Sequence, residues 1–412
     1  MTKVTSFPKD KIKILLLEGV HQSAVEEFKK RGYHNIDYVK GAYSEEELLD
    51  CIEDYHLIGI RSKTNLTKPV LEKASKLLAV GCFCIGTNQV DLQTAANEGI
   101  AVFNSPYSNT RSVAELIIAE AVMLLRRIPA RDKAAHQGLW LKDAQGSYEL
   151  RGKKLGIVGY GHIGSQVSVL GEGMGLKILY YDVEPKLPLG NATPVASLQE
   201  LMSTCDVVTL HVPETDQTKN MITAKELSWM KEGSIFLNLS RGTVVDIEAL
   251  ATALKSGKIA GAAVDVFPLE PKVKSERFTS PLQGIDNVIL TPHIGGSTQE
   301  AQENIGLDAA TKLSNYLDRG TTIGNHTVPA LSLPIQSADH HRILHIHKNV
   351  PGVLSEINSK LSALEVNVTG QFLKTSQHIG YVVLDVEGDT ATLEALEELK
   401  QVKNTIRARI LF

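Results

Sequence analysis

The stretch KKLGIVGYGHIGSQ, residues 153–166, decides how this chain is read. LGIV is a short apolar run of the kind that forms a buried strand. Gly159, Gly161 and Gly164 then fall in the pattern G-x-G-x-x-G, with His162 and Ile163 inside it, and a helical segment follows. Alone, such a pattern can be a glycine-rich turn. Here strand, turn and helix are in order, and Asp182 closes the next apolar run, LKILYYD, 18 residues past Gly164. That is the context a dinucleotide site requires. Gly159 permits the tight turn, Gly161 lets a pyrophosphate approach the backbone, and Gly164 lets the helix pack on the strand. The free N–H groups of the helix start suit phosphate. A carboxylate at 182 accepts hydrogen bonds from ribose hydroxyls and repels a 2′-phosphate, so NAD is expected rather than NADP.

Outward from this motif, apolar runs alternate with helical segments on both sides. Residues 11–106 contain KIKILLLEG, HLIGIRS, LLAVGCFCIG and IAVFNSP, with polar helical stretches between. A second series runs from 153 through DVVTLHVP, SIFLNLSRG, IAGAAVDVF and NVILTPHIGG. Continuous apolar strands separated by helices imply parallel sheets covered on both faces. The fold class expected is α/β, with two doubly wound parallel-sheet domains, one flavodoxin-like and one of the Rossmann type. A long amphipathic helix at 297–320, capped by Ser297 or Thr298, is expected to return the chain to the first domain. Residues 321–341 lack periodicity, contain Pro329 and Pro334, and read as a linker and candidate hinge. The last 70 residues follow the order βαββαβ. The boundaries expected are 1–108 with 297–335, 109–296, and 338–412.

With 412 residues and a net charge of −4, nothing favours nucleic acid or an anionic membrane as partner. Cys51, Cys82, Cys84 and Cys205 are too few for a disulfide framework, and Cys82 and Cys84 read as small core residues. The polar N-terminus shows no signal-peptide pattern, and VAELIIAEAVMLL carries Glu115 and Glu120, which argues against a membrane span. A cytoplasmic protein is expected.

In an open parallel sheet, ligands bind beyond the carboxyl ends of the strands. Arg241 follows SIFLNLS, Glu270 lies three residues after GAAVDVF, and His293 follows NVILTP. Singly, these are an ordinary capping Arg, a solvated Glu and a turn His. Together at one edge they match a ketone–alcohol interconversion. His exchanges the hydroxyl proton, the carboxylate orients the ring and raises its pKa, and Arg grips a carboxylate with two donors.

LSRGTVVDIEAL (239–250), AAVDVFPLEP (262–271) and LTPHIGGST (290–298) resemble signatures of the D-isomer-specific 2-hydroxyacid dehydrogenases, and the resemblance extends through the tail to serine-inhibited bacterial members. It implies an NAD-dependent dehydrogenase using Arg241, Glu270 and His293. Asp265 is then placed by the nicotinamide carboxamide. His162, Ile163, Asp182, Leu239, Ser240, Gly295 and Gly296 line the cofactor, alongside Arg241 and His293. Arg61, Ser62 and Asn109 match positions that contact substrate, and Lys40 and Lys142 match basic residues near the site. Two lysines of this kind are also compatible with plain solvated charge. The implied substrate is a phosphorylated D-2-hydroxy acid. Another D-2-hydroxy acid such as 2-hydroxyglutarate, or a non-catalytic NAD-sensing role, are the alternatives. Trp140 reads as an interface or core anchor.

HKNVPGVLSEI, 347–357, opens the first helix of the tail, and the tail resembles the ACT domain, an amino-acid-sensing module that pairs side by side. The resemblance implies L-serine as effector at the joint of two modules, with His347, Asn349 and Asn367 as contacts, and a homotetramer joined through cofactor domains and tails. A metal reading of His345 and His347 lacks further ligands, so no metal is expected.

Overall fold

The computed structural model describes residues 8–271, 276–335, 340–387 and 389–411. The chain clusters into two compact units, residues 1–108 with 302–412, and residues 109–301. The second division falls in the first turn of the helix Gln299–Arg319, whose start is capped by Thr298 Oγ1 accepting from Ala301 N–H at 3.1 Å.

In the first unit, β1 (Ile14–Leu16), β2 (Ile36–Tyr38), β3 (Leu57–Ile60), β4 (Ala79–Cys82) and β5 (Ala101–Asn104) form a parallel sheet in the order β2-β1-β3-β4-β5. This is the flavodoxin-like order. Its strands are short, and β1, β3, β4 and β5 are buried throughout, which is why they read as unbroken apolar runs. Cys82 lies buried in β4, while Cys84 is past its end and partly exposed.

In the second unit, β6 (Lys154–Val158), β7 (Lys177–Tyr181), β8 (Thr193–Pro194), β9 (Val207–Leu210), β10 (Ser234–Asn238), β11 (Ile259–Val264) and β12 (Val288–Leu290) pair as β12-β11-β10-β9-β6-β7-β8, all parallel. The direction of winding reverses between β6 and β9. Ligands of such sheets bind in the crevice at that switch point. The helix Thr110–Leu125 packs on this sheet through Val113, Ile117, Ala121 and Leu124.

The tail forms an antiparallel sheet of β13 (His340–Lys348), β14 (Val368–Thr375), β15 (Ile379–Glu387) and β16 (Thr405–Leu411), in the order β14-β15-β13-β16. Its two faces have different cores. Ile343, Val382, Leu384 and Val386 pack under the helices Val353–Ala363 and Asp389–Lys400. Leu344, Ile346, Tyr381 and Val383 alternate with them and share a core with Ile14, Leu57 and Leu313. The period of two along each strand thus serves two cores at once.

The linker expected at 321–341 is not a free tether in its described part. His326 N–H donates to Val102 O at 2.9 Å, and Thr327 Oγ1 bridges Ile100 O and Val102 N. The segment thereby covers the β5 edge of the first sheet, and the lack of periodicity reflects irregular edge pairing rather than exposure. Arg342, fully buried, pairs with both oxygens of Asp385 at 2.6 and 2.8 Å and donates to Arg319 O and Pro334 O. Tyr381 OH donates to Gly320 O at 2.6 Å. Residues 336–339 of the expected linker lie outside the described residues.

Candidate functional site

Gly159 ends β6 at φ +91°, a conformation glycine tolerates, and a Cβ there would stand 2.7 Å from His211 O. Gly164 allows the helix to approach the strand, since a Cβ would meet Gly159 O at 2.3 Å. Gly161 caps the helix His162–Gly173, and a Cβ on it would meet nothing within 4 Å. Two glycines of the motif thus close the turn, and the third leaves open space over free helix N–H groups, a fit for pyrophosphate. Asp182 Oδ2 accepts from Tyr160 N–H at 2.8 Å and Oδ1 from Glu184 N–H at 2.9 Å. Each oxygen keeps a lone pair for a ribose hydroxyl. His162 is exposed at the helix start, and Ile163 is half-buried against the core beneath.

At the far side of the switch point, β10, β11 and β12 deliver their C-terminal residues to one edge. His293 Nδ1 and Glu270 Oε2 are 2.9 Å apart, and Glu270 Oε1 accepts from Phe267 N–H at 3.1 Å. The bond to Glu270 is the main cause of a raised His293 pKa, against opposing desolvation. Burial pushes the Glu270 carboxyl up, but the bonds from His293 and Phe267 outweigh it and leave its pKa lowered. Arg241 acts on the charge of both. Arg241 Nη1 donates to Ser240 O at 2.7 Å, and Asn238 accepts from Ser240 N–H and donates to Arg241 O. Leu239 and Ser240 are buried in the same turn.

Asp265 is buried and holds the turn that carries His293. Its Oδ1 accepts from Thr291 Oγ1 at 2.6 Å and Ile294 N–H at 2.8 Å, and its Oδ2 from Gly295 N–H at 2.8 Å. His293 itself sits at φ +54°, unusual for a non-glycine residue, and its N–H is tied to Asp265 O at 2.8 Å. Gly296 faces the Asn109 side chain so closely that a Cβ would lie 2.1 Å from Nδ2. Asn109 is buried, and its Oδ1 has no partner.

In the first unit, Arg61 and Ser62 follow β3 and Lys40 follows β2. Glu18, just past β1, accepts from Arg61 N–H, Lys63 N–H and Thr64 N–H at 2.9–3.0 Å, and its own N–H donates to Gly41 O. Glu18 therefore joins three strand ends, its carboxylate reaching the residues after β3 and its N–H the segment after β2. Lys40 and Ser62 are exposed. Lys142 stands in an exposed loop of the second unit, held by Arg131 to Leu141 O and Asp143. Trp140 in that loop is 85% exposed, which excludes the core-anchor reading.

In the tail, His345 and His347 lie on one face of β13 with ring centroids 5.5 Å apart. His345 Nε2 bonds Thr405 Oγ1. His347 Nδ1 bonds Lys348 O at 2.8 Å, its Nε2 is buried without a partner, and Gly380 makes room for the ring, since a Cβ would lie 2.2 Å from it. Asn349 Nδ2 donates to Ser376 O. Asn367 is elsewhere, since its Nδ2 donates to Glu387 Oε2, while His347 lies opposite Gly380. Seven residues of antiparallel strand span roughly 24 Å, so one chain does not bring Asn367 to His347.

Sequence reasoning missed several groups. Glu18 and His211 stand just past strand ends, the same signal that picks out His293. Desolvation pushes the His211 pKa down to about 3, so its ring is neutral at the switch point, with Nε2 3.0 Å from Thr209 Oγ1. Glu120, read only as an argument against a membrane span, is buried with both oxygens unpartnered. Burial, and then Asp265, push its pKa up to about 8.

Residues 118–295 match the family model of the D-isomer specific 2-hydroxyacid dehydrogenase NAD-binding domain, and 343–407 match an AHAS small subunit-like ACT domain. The chain is 56% identical to the D-3-phosphoglycerate dehydrogenase of Escherichia coli (strain K12), over 100% of both chains. It is 48% identical to D-3-phosphoglycerate dehydrogenase 1 of Saccharomyces cerevisiae, covering 98% of this chain and 89% of that one. The solved structure of a D-2-hydroxyisocaproate dehydrogenase is 27% identical, covers 77% of this chain and 100% of its own, and superimposes with a TM-score of 0.70.

Proposed function

The chain belongs to the D-isomer specific 2-hydroxyacid dehydrogenases, and from that premise we propose that it oxidises 3-phospho-D-glycerate to 3-phosphohydroxypyruvate, the first step of L-serine biosynthesis, under feedback inhibition by L-serine. The observation that carries the chemistry is the His293–Glu270 pair at 2.9 Å, with Arg241 acting on both. NAD, when bound, would supply the hydride acceptor for C2. The glycines of 159–164, His162, Ile163 and Asp182 would hold it at one side of the switch point, and Leu239, Ser240, Asp265, Gly295 and Gly296 would line the other.

Arg241 grips the C1 carboxylate and the C2 oxygen. His293 Nε2 takes the C2 hydroxyl proton while Glu270 holds Nδ1, so the imidazolium that forms is paired as it is charged. In the reverse direction the same nitrogen returns the proton. Asp265 keeps the ring in place by fixing its turn. Arg61, Ser62, Lys40, Asn109 and Lys142 are assigned to the anionic remainder of the substrate.

Serine is assigned to His347, whose Nε2 lacks a partner, and to Asn349, with Asn367 supplied by a second copy. The separation of roughly 24 Å within one chain favours such a shared site. A homotetramer joined through tails and through the second units accommodates this. The exposed Leu139, Trp140 and Leu141 supply an apolar patch suited to the second contact. Among the described residues, no helix is long and apolar enough to cross a membrane, and the cytoplasm is the proposed location.

The test is NADH oxidation with 3-phosphohydroxypyruvate, 2-oxoglutarate and pyruvate, each with and without L-serine. The largest kcat/KM is expected for the phosphorylated acid, with inhibition by serine. A larger value for 2-oxoglutarate, or no turnover of any acid, would overturn the reading.

A further inference from the structure

Strand β16 carries Arg407 and Arg409 to the wall of a cavity of about 440 Å³ in the first unit, also lined by Lys9, Tyr33, His56 and Lys76. No Asp or Glu lines it. Lys9 is neutralised by Asp318 at 2.7 Å and Lys76 pairs with Asp54 at 3.6 Å. The two arginines differ. Among the described residues, no carboxylate comes within 4 Å of either as an ion pair.

Arg407 Nη1 donates to Leu77 O, and Arg409 Nη2 to Tyr316 O at 3.0 Å, with the second guanidinium over the Tyr316 ring at 4.7 Å. Each contact fixes a guanidinium but uses one of its five donors. Arg409 Nε is buried and has no partner. Burial, with repulsion from Arg409, holds the Arg407 pKa below its usual range, offset in part by Tyr316 and by the Glu98 carboxylate. Two half-buried cations two residues apart on one strand, one with an orphaned buried donor, cost stability unless something pairs with them. Two backbone carbonyls and the Tyr316 ring thus hold the arginines at the cavity wall. The volume suits a small metabolite.

We propose that this cavity binds a multivalent oxyanion, a small phosphorylated or polycarboxylate molecule, gripped by Arg407 and Arg409 with Lys9 and Lys76 at the rim. Its lining shares no residue with the His293 edge or with His347, Asn349 and Asn367. Because tail and first-domain residues both form its wall, the anion strengthens their packing and raises the unfolding temperature as its concentration exceeds its Kd.

The experiment uses the full chain carrying Arg61→Gln, which weakens anion binding at the proposed substrate contacts. Pyrophosphate and citrate are titrated calorimetrically at constant ionic strength, with chloride as control. One site per chain is expected, with affinity falling about tenfold or more in Arg407→Gln and Arg409→Gln. The anion that binds more tightly distinguishes phosphorylated from polycarboxylate ligands. Unchanged affinity in both variants, or no heat with either anion at millimolar concentration, overturns the proposal. Should the variants fail to fold, crystals of the unsubstituted protein soaked in selenate decide it. An anomalous peak beside Arg409 Nε is expected, and its absence from a well-ordered map overturns the proposal.

Discussion

The edge around His293 and the loop around His347, both proposed as ligand sites, bring polar groups together in opposite ways. In the second unit, strands β10, β11 and β12 run parallel, so their C-terminal residues arrive together and Arg241, Glu270 and His293 form one group in one chain. In the tail, β13 and β15 run antiparallel, and Asn367 is carried to the end opposite His347. A parallel sheet concentrates its chemistry at one edge. An antiparallel sheet divides it between two ends, so the effector site proposed above needs a second copy to complete it.

The largest effect should come from breaking the parallel edge. His293→Ala is expected to lower kcat by about 10²–10⁴-fold with NAD affinity kept, read by steady-state kinetics and a cofactor titration. Near-normal turnover would remove His293 from the chemistry.

The antiparallel end is tested by complementation. His347→Ala and Asn367→Ala should each raise the serine concentration for half-inhibition by about tenfold or more, with basal kcat unchanged. Hybrids of the two variant chains should recover part of the inhibition, because one joint then combines an intact His347 with an intact Asn367. Hybrids no more sensitive than either parent would place the whole site in one chain.

Glu270→Gln gives a smaller effect with a definite sign. Glu270 raises the His293 pKa, so oxidation, which needs the neutral ring, grows as pH rises through that pKa. Removing the charge should move the acid limb of kcat/KM to lower pH, and the limb on which reduction declines should move the same way. A limb that stays in place would mean that another group sets it.

The smallest change is at Glu120. Its folded pKa, about 8, lies above the unfolded value. The stability present below the unfolded pKa is therefore lost as pH rises through about 8. Glu120→Gln should raise the melting temperature by several degrees at high pH, with little change near the unfolded pKa, as calorimetry at the two extremes would read. Equal curves would mean that the carboxyl is paired or solvated.

The cofactor loop was legible because glycine spacing dictates local backbone. Gly159 at positive φ and Gly164 against Gly159 O are consequences of residues five positions apart. Arg241, Glu270 and His293 were legible because strand ends in a parallel sheet converge whatever the loops do. That part of the stretch 321–341 packs on the first sheet was not legible, because its bonds to Ile100 and Val102 cross more than 200 residues. Glu120 next to Asp265 depends likewise on how a helix lies on a sheet, which no periodicity reveals.

The sequence by itself determined the order of strands and helices, the turn that receives a dinucleotide, and which ionisable residues stand at strand ends. Those follow from backbone preferences and from burial patterns over a few residues. Only the tertiary structure decided that Asn367 lies away from His347, that Glu18 ties three strand ends together, and that Arg407 and Arg409 face a shared cavity with one donor unpaired. Each of these depends on the register between distant segments, which packing of whole faces sets and short-range pattern does not.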